Sequence, residues 1–413
     1  MTSAADRVLA ELKPGLSIYI QGATGEPLAL REIVAAAPDA LAGRRLTGCF
    51  LPGINDFDYA ALNPDVSLAT FLLPPAMRAS FEAGRVAVHP LPYSQIAAWF
   101  ADGAAPDLAV LQVAPPNAQG LCSLGPCADF APLVWPRARR KLAFINRQWP
   151  RARWGPSIPL AAIDTIIETD GPFITGAEAA PTPAHLAIAA HVADLIEDGA
   201  SIQSGIGAAP AAIVAALTSR KRLVIRSGMV TEGYRALAAA GALAGDAAHV
   251  TGLAFGSEAF MRWAAENLTF ADARVTHGAA SLARTARLVA INSALEVDLF
   301  GQGNIEWRSG RLVSGLGGAP DFARAARHCV GGRAILALPA TASGGKVSRI
   351  VARLSSPTVS IPRDDTDLVA TEHGVADLRA TDLDVRAHAL IAIAAPEHRG
   401  RLADEWTAMR RNL

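Results

Sequence analysis

Apolar and polar positions along this chain fall into two kinds of segment. Short apolar runs, Leu108-Ala109-Val110-Leu111-Gln112-Val113 and Ala334-Ile335-Leu336-Ala337-Leu338, are each closed by a nearby proline. A strand that is apolar at successive positions hides both of its faces, as strands do in a parallel sheet covered by helices. Between such runs lie longer alanine-rich stretches, Ala184 to Glu197 and Thr231 to Ala240. These predict helices. Alternating strands and helices predict a doubly wound α/β architecture.

One unit of the alternation occurs twice. The first copy reads Pro14-Gly15-Leu16-Ser17-Ile18, then Gln21-Gly22-Ala23-Thr24-Gly25-Glu26-Pro27-Leu28. The second reads Asp198-Gly199-Ala200-Ser201-Ile202, then Gly205-Ile206-Gly207-Ala208-Ala209-Pro210. Each is a turn glycine, a short strand, a glycine loop and an alanine-rich helix with proline near its start. Proline suits a first helical turn, where its missing N–H removes no internal bond. Glycines let the loop backbone approach a ligand, and the helix start offers free N–H groups and partial positive charge. The duplication predicts two similar open α/β domains with mostly parallel sheets, residues 1–176 and 177–413, handling a ligand where they meet. The boundary falls in Asp170 to Pro183, where Gly171-Pro172 and Pro181-Thr182-Pro183 bracket small residues.

Composition narrows the function classes. The chain has 413 residues, 51% of them hydrophobic and 18% charged, with zero formal net charge. Zero net charge gives no reason to expect nucleic acid or an anionic membrane surface as a partner. The four cysteines form no C-x-x-C pair, and the nine histidines show no i, i+4 pairing, so no metal site is expected. Cysteine usage and an N-terminus without a signal pattern fit a cytoplasmic protein, and no apolar window is long enough to span a membrane. Arg137, Arg139, Arg140, Lys141, Arg147, Arg151 and Arg153 make a basic stretch interleaved with Trp149 and Trp154. It would either contact phosphates or form a solvated surface. Gly205-Ile206-Gly207 is not a dinucleotide fingerprint, because Pro210 stands where the third glycine belongs.

Longer strings carry a resemblance. Leu111-Gln112-Val113-Ala114-Pro115-Pro116-Asn117 with Gly120-Leu121-Cys122-Ser123-Leu124-Gly125 resembles the first-domain signature of the acetyl-CoA hydrolase/transferase family. Matching strings follow in family order: Gly205 to Pro210, Ile291 to Gln302, Ser314-Gly315-Leu316-Gly317-Gly318, Ser343-Gly344-Gly345-Lys346, and Thr371-Glu372-His373-Gly374-Val375. The resemblance spans essentially the whole chain. It implies an enzyme that transfers or hydrolyses the CoA thioester of a small carboxylic acid. Coenzyme A or acyl-CoA would be its substrate rather than a covalently bound cofactor, and a carboxylate its other small partner. The expected assembly is a homo-oligomer, a dimer. CoA-binding positions are expected at Gly205, Ile206, Gly207, Gly315, Gly317, Gly318 and Lys346. Glycine loops there would aim N–H donors at a developing oxyanion, or simply make tight turns.

The same resemblance marks a departure. Family members carry a glutamate nucleophile in a string like H-T-E-M-x-S-D-G, and its place falls on Gly228 of Arg226-Ser227-Gly228-Met229-Val230-Thr231-Glu232-Gly233. Glycine cannot form an acyl anhydride. Catalytic carboxylates are therefore expected at Glu232 or Glu296, whose other readings are helix capping or an ion pair for Glu232 and ordering of the Gly301 to Gly303 loop for Glu296. Further departures are His373 for a tyrosine and Ala380-Thr381 for Gly-Lys. A non-catalytic CoA-ester-binding protein, or an enzyme for a different carbonyl substrate, are the alternatives. Gly228→Glu is expected to raise transferase activity modestly.

Overall fold

The computed structural model describes residues 3–413. The chain divides into two compact units, residues 1–177 with 250–276, and residues 178–249 with 277–413. In the first, a seven-stranded sheet runs in the order Val86–Val88, Ser67–Thr70, Arg45–Thr47, Ser17–Ile20, Leu108–Val113, Arg140–Asn146, Thr165–Thr169. Every pairing in it is parallel. The apolar run Leu108–Val113 is buried at each position, as a strand covered on both faces must be.

The second unit repeats the arrangement. Val224–Val230, Ser201–Ser204, Leu288–Ser293, Arg333–Ala337 and Leu368–Thr371 lie side by side in that order and parallel. Gly374–Asp377 then closes the edge antiparallel. The first strand of each repeat therefore lies between its second and its third. Register matches as well: Ser17 pairs with Arg45 and Ile18 with Leu108, while Ser201 pairs with Val224 and Ile202 with Val289. Gly15 and Gly199, the turn glycines before these strands, both have φ of +78°, which an L side chain rarely adopts.

The compact units differ from a division into 1–176 and 177–413 by one segment, 250–276. It belongs with the first unit because Leu253 bridges Cys127, Thr269 bridges Trp154, and the Gly252 carbonyl accepts from Ala128 N–H at 2.9 Å. The helix expected over Ala184 to Glu197 is Pro183–Ala193, capped by Thr182. Its last predicted turn is tighter, with Leu195 N–H on the Val192 carbonyl and Ile196 N–H on that of Ala193. The helix expected from Thr231 to Ala240 is Glu232–Ala239.

The basic stretch is mostly spent on the fold. Arg137 donates to the Phe100 and Gly103 carbonyls, Arg140 pairs with Glu11, Arg147 with Glu168, and Arg153 lies 4.5 Å over the Trp154 ring. Among the described residues no helix is long and apolar enough to cross a membrane, and no group of three His, Cys, Asp or Glu side chains could hold a metal ion.

Candidate functional site

The two glycine loops have equivalent places in their sheets and opposite surroundings. In the first, Gly22 to Glu26 is buried, and Ala23–Gly25 makes a single 3₁₀ turn whose Ala23 N–H donates to the Cys49 carbonyl at 3.1 Å. A Cβ on Gly22 would collide with that same carbonyl. The Glu26 carboxylate is fully buried. Arg31 grips it bidentately at 2.8 and 2.6 Å, Asn55 Nδ2 donates at 2.6 Å and Tyr59 OH at 2.7 Å. Burial works against the Arg31 charge, but Glu26 outweighs it and holds the guanidinium above its ordinary pKa. A buried charge that is paired and hydrogen-bonded in this way is a finished structural element.

In the second copy the loop faces solvent. Ile206 is 52% exposed at its tip, and Gly207, at φ +130°, is an exposed residue that leads into the helix Ala208–Ala216. Below it the backbone is fixed. Gly205 N–H donates to the Ile291 carbonyl at 2.7 Å, and a Cβ on Gly205 would lie 2.6 Å from Asn292 Oδ1. Asn292 is itself locked by a reciprocal amide pair with Gln203, at 3.2 and 3.3 Å. The helix start therefore presents loop N–H groups from a rigid floor.

Gly228 and Gly318 meet one side chain, His277. A Cβ on Gly228 would lie 2.5 Å from its Nε2, and a Cβ on Gly318 would be closer still. The imidazole is 4% exposed and packs edge-on against Phe322, with ring centroids 4.9 Å apart. Burial pushes its pKa down to about 3, so the ring is neutral at any physiological pH. Gly318 is the residue before the helix Ala319–His328, preceded by Gly317 at φ +57°, and Gly315 is buried. The structure thus brings Gly228 and Gly318 against one histidine that sequence spacing did not single out. The gain expected from Gly228→Glu does not survive this contact, because the ring occupies the space the new side chain needs.

The carboxylates differ in their surroundings. Glu232 is the first residue of its helix and half-buried. Close to it lies Glu178, which the sequence reading missed. Burial raises the Glu178 pKa and Glu232 raises it further, against a hydrogen bond from the Thr231 side chain. Tyr234, two residues beyond Glu232, donates to Ser204 Oγ at 2.9 Å at the end of the strand that enters the glycine loop. Glu296, by contrast, accepts from Ser355 N–H and Oγ at 2.8 Å and from Asn304 Nδ2 at 3.1 Å, tying two loops together. The loop after it is ordered by Asp298, which accepts from Phe300 and Gln302 N–H at 3.1 and 2.9 Å. Glu372 accepts from Ala340 N–H at 2.7 Å, in the segment between the strands Arg333–Ala337 and Thr341–Ala342. Lys346 is exposed in the hairpin formed by Thr341–Ala342 and Val347–Ser348.

A duplicated parallel α/β fold with one closed and one open glycine loop defines the class. Residues 3–175 match the acetyl-CoA hydrolase/transferase N-terminal domain, and residues 256–406 match the acetyl-CoA hydrolase/transferase C-terminal domain. The 4-hydroxybutyrate coenzyme A transferase of Clostridium kluyveri is 30% identical over 412 residues, covering 97% of this chain and 96% of that protein. The chain belongs to the acetyl-CoA hydrolase/transferase family. An acetyl-CoA hydrolase of Kluyveromyces lactis is 30% identical over 212 residues, 49% of this chain and 40% of its own. Among solved structures, RipA from Yersinia pestis superposes with a TM-score of 0.90 at 26% identity over 99% of this chain and 97% of its own. The 4-hydroxybutyrate CoA-transferase of Porphyromonas gingivalis does so at 0.80 and 30% identity, over 100% and 97%.

Proposed function

We propose that this chain hydrolyses the CoA thioester of a small carboxylic acid at the open glycine loop of its second unit, with no covalent carboxylate at position 228. One observation carries the reading: the neutral imidazole of His277 lies against Gly228, where a glutamate would have to stand. The relatives include both transferases and hydrolases, so the acyl-CoA chemistry is common to the alternatives. In the proposed route the oxygen of a water attacks the thioester carbonyl while Glu232 takes the water's proton. The tetrahedral oxyanion is held by N–H groups of Ile206 to Ala208 or Gly317-Gly318, and the C–S bond then breaks to release CoA thiolate. Glu178, held in its protonated form more readily by burial and by Glu232, can return the proton to the sulfur.

Incubation with acetyl-CoA or succinyl-CoA tests this, with thiol release followed alone and with an acceptor acid. Thiol should appear at a rate that ignores the acceptor, and borohydride should trap no glutamyl adduct. Glu232→Gln should slow release by about 10²- to 10⁴-fold, the usual share of a general base. An adduct on Glu232 or Glu296, or acceptor-dependent transfer, would show a relocated nucleophile. Binding without thiol release would leave the chain a CoA-ester-binding protein.

A further inference from the structure

Two neighbouring strands part where the open loop begins. In the first unit the pairing of Ser17–Ile20 with Arg45–Thr47 runs on to Tyr19 and Thr47, and beyond it Ala23 N–H still reaches the Cys49 carbonyl. In the second unit the equivalent pairing of Ser201–Ser204 with Val224–Val230 stops at Ile202 and Ile225, two residues before Ser204. Side chains take over from there. Ser204 N–H donates to Ser227 Oγ at 3.4 Å, and that hydroxyl donates to the Met229 carbonyl at 2.6 Å. Tyr234 OH donates to Ser204 Oγ at 2.9 Å. Ser204, Ser227 and Tyr234 are all buried, Tyr234 completely.

The clasp joins particular segments. Ser204 is the last residue before Gly205, and Ser227 the last before Gly228. Tyr234 stands in the first turn of the helix Glu232–Ala239, two residues after Glu232. That helix is seated at a second point. A Cβ on Gly233 would lie 3.1 Å from Val214 Cγ1 and 3.6 Å from Ala215 N, so the helix packs closely on Ala208–Ala216, which leaves the glycine loop. A buried tyrosine needs a partner for its hydroxyl. Here the partner is a side chain on the very strand end that main-chain bonds have left. A satisfied buried network of this kind fixes one arrangement of the segments it joins.

We propose that Tyr234 is a positioning residue: through Ser204 it fixes the start of the Glu232 helix to the strand end that carries the open glycine loop, so that the carboxylate and the loop N–H groups keep one spacing. Its consequence for rate rests on the hydrolysis reading above; the clasp itself does not. Thiol release from acetyl-CoA, and amide hydrogen exchange of the ligand-free full chain, test it on wild type, Tyr234→Phe, Ser204→Ala and the double variant. Tyr234→Phe removes one oxygen and keeps the ring. It should lower kcat about tenfold to a hundredfold, the cost of a small misplacement, and leave KM within about threefold. Ser204→Ala should do the same, and the double variant should be no slower than either, because each single change already opens the clasp. Gly205 N–H, bonded to the Ile291 carbonyl, and Ala211 N–H, bonded to that of Gly207, flank the loop and should exchange faster in all three variants. Leu338 N–H, bonded to the Ala370 carbonyl elsewhere in the same unit, should not. A residue that only stabilised the fold would speed exchange at all three amides together and leave kcat unchanged. That pattern, a kcat within about twofold of wild type, additive losses in the double variant, or unchanged exchange at Gly205 and Ala211 would each overturn the proposal. If wild type releases no thiol, the hydrolysis reading falls and the exchange pattern alone decides the clasp.

Discussion

The two glycine loops hold equivalent places in their sheets and differ in what fills them. Both follow the first strand of a repeat, after a turn glycine of φ +78°. In the first unit the loop is buried around Glu26, whose carboxylate is gripped by Arg31, Asn55 and Tyr59. In the second the loop carries no charge and leaves Ile206 in solvent. Duplicated folds thus need not carry duplicated sites. One copy is scaffold, closed around an ion pair, while the other presents N–H groups at an exposed helix start. The neutral buried groups differ in the same way: in the first unit burial raises the Asp129 pKa to about 8, and in the second it lowers that of His277 to about 3.

The comparison breaks most readily at Glu26. Glu26→Ala leaves Arg31 half-buried without its main partner and should cost about 3–5 kcal/mol, read as a shift of the urea midpoint. A loss under 1 kcal/mol would mean the first loop is not sealed by this pair. Next come the glycines against His277. Gly228→Ala and Gly318→Ala should each cost about 1–3 kcal/mol by overpacking, since the ring must move from a well-filled place. Gly228→Glu should fare no better and gain no transferase activity. Gly228→Glu combined with His277→Gly should recover stability relative to Gly228→Glu alone, and if it does not, the ring is not the obstacle.

Smaller and opposite effects are expected from pH. His277 titrates at 6.5 when unfolded and about 3 when folded, so between those values the unfolded chain takes up a proton that the native state refuses. Stability should therefore fall as pH drops through that window, and His277→Gln should flatten the fall. Asp129 titrates at 3.8 unfolded and about 8 folded, so its contribution fades as pH rises from 4 to 8, and Asp129→Asn should remove that loss. Each slope is at most about 1.4 kcal/mol per pH unit. The smallest effect belongs to Ile206→Ala, which should change stability by less than about 0.5 kcal/mol at an exposed tip. An equally mild Glu26→Ala would erase the contrast between the loops.

The α/β alternation and both loops were legible because a strand buried on both faces writes an unbroken apolar run, and a helix start writes glycine then proline. What fills a loop was not legible. Glu26 stands in the sequence beside Pro27 like any helix-start acid, and only packing brings Asn55 and Tyr59 onto it. His277 lies 49 positions from Gly228, with no local pattern to join them. The clue was indirect: a glycine in the middle of the strand Val224–Val230 needs a reason, and a neighbouring ring is one. Glu296 looked catalytic because it sits in a specific string, yet its carboxylate is committed to Ser355 and Asn304, partners 59 and 8 residues away.

Hydrogen exchange of the backbone amides, with and without a saturating acyl-CoA, tests the central contrast most directly. The account predicts slower exchange at Ile206, Gly207 and Ala208 on adding ligand, and no change at Gly22 to Glu26, already slow without it. Protection appearing in the first loop, with the second unchanged, would contradict it.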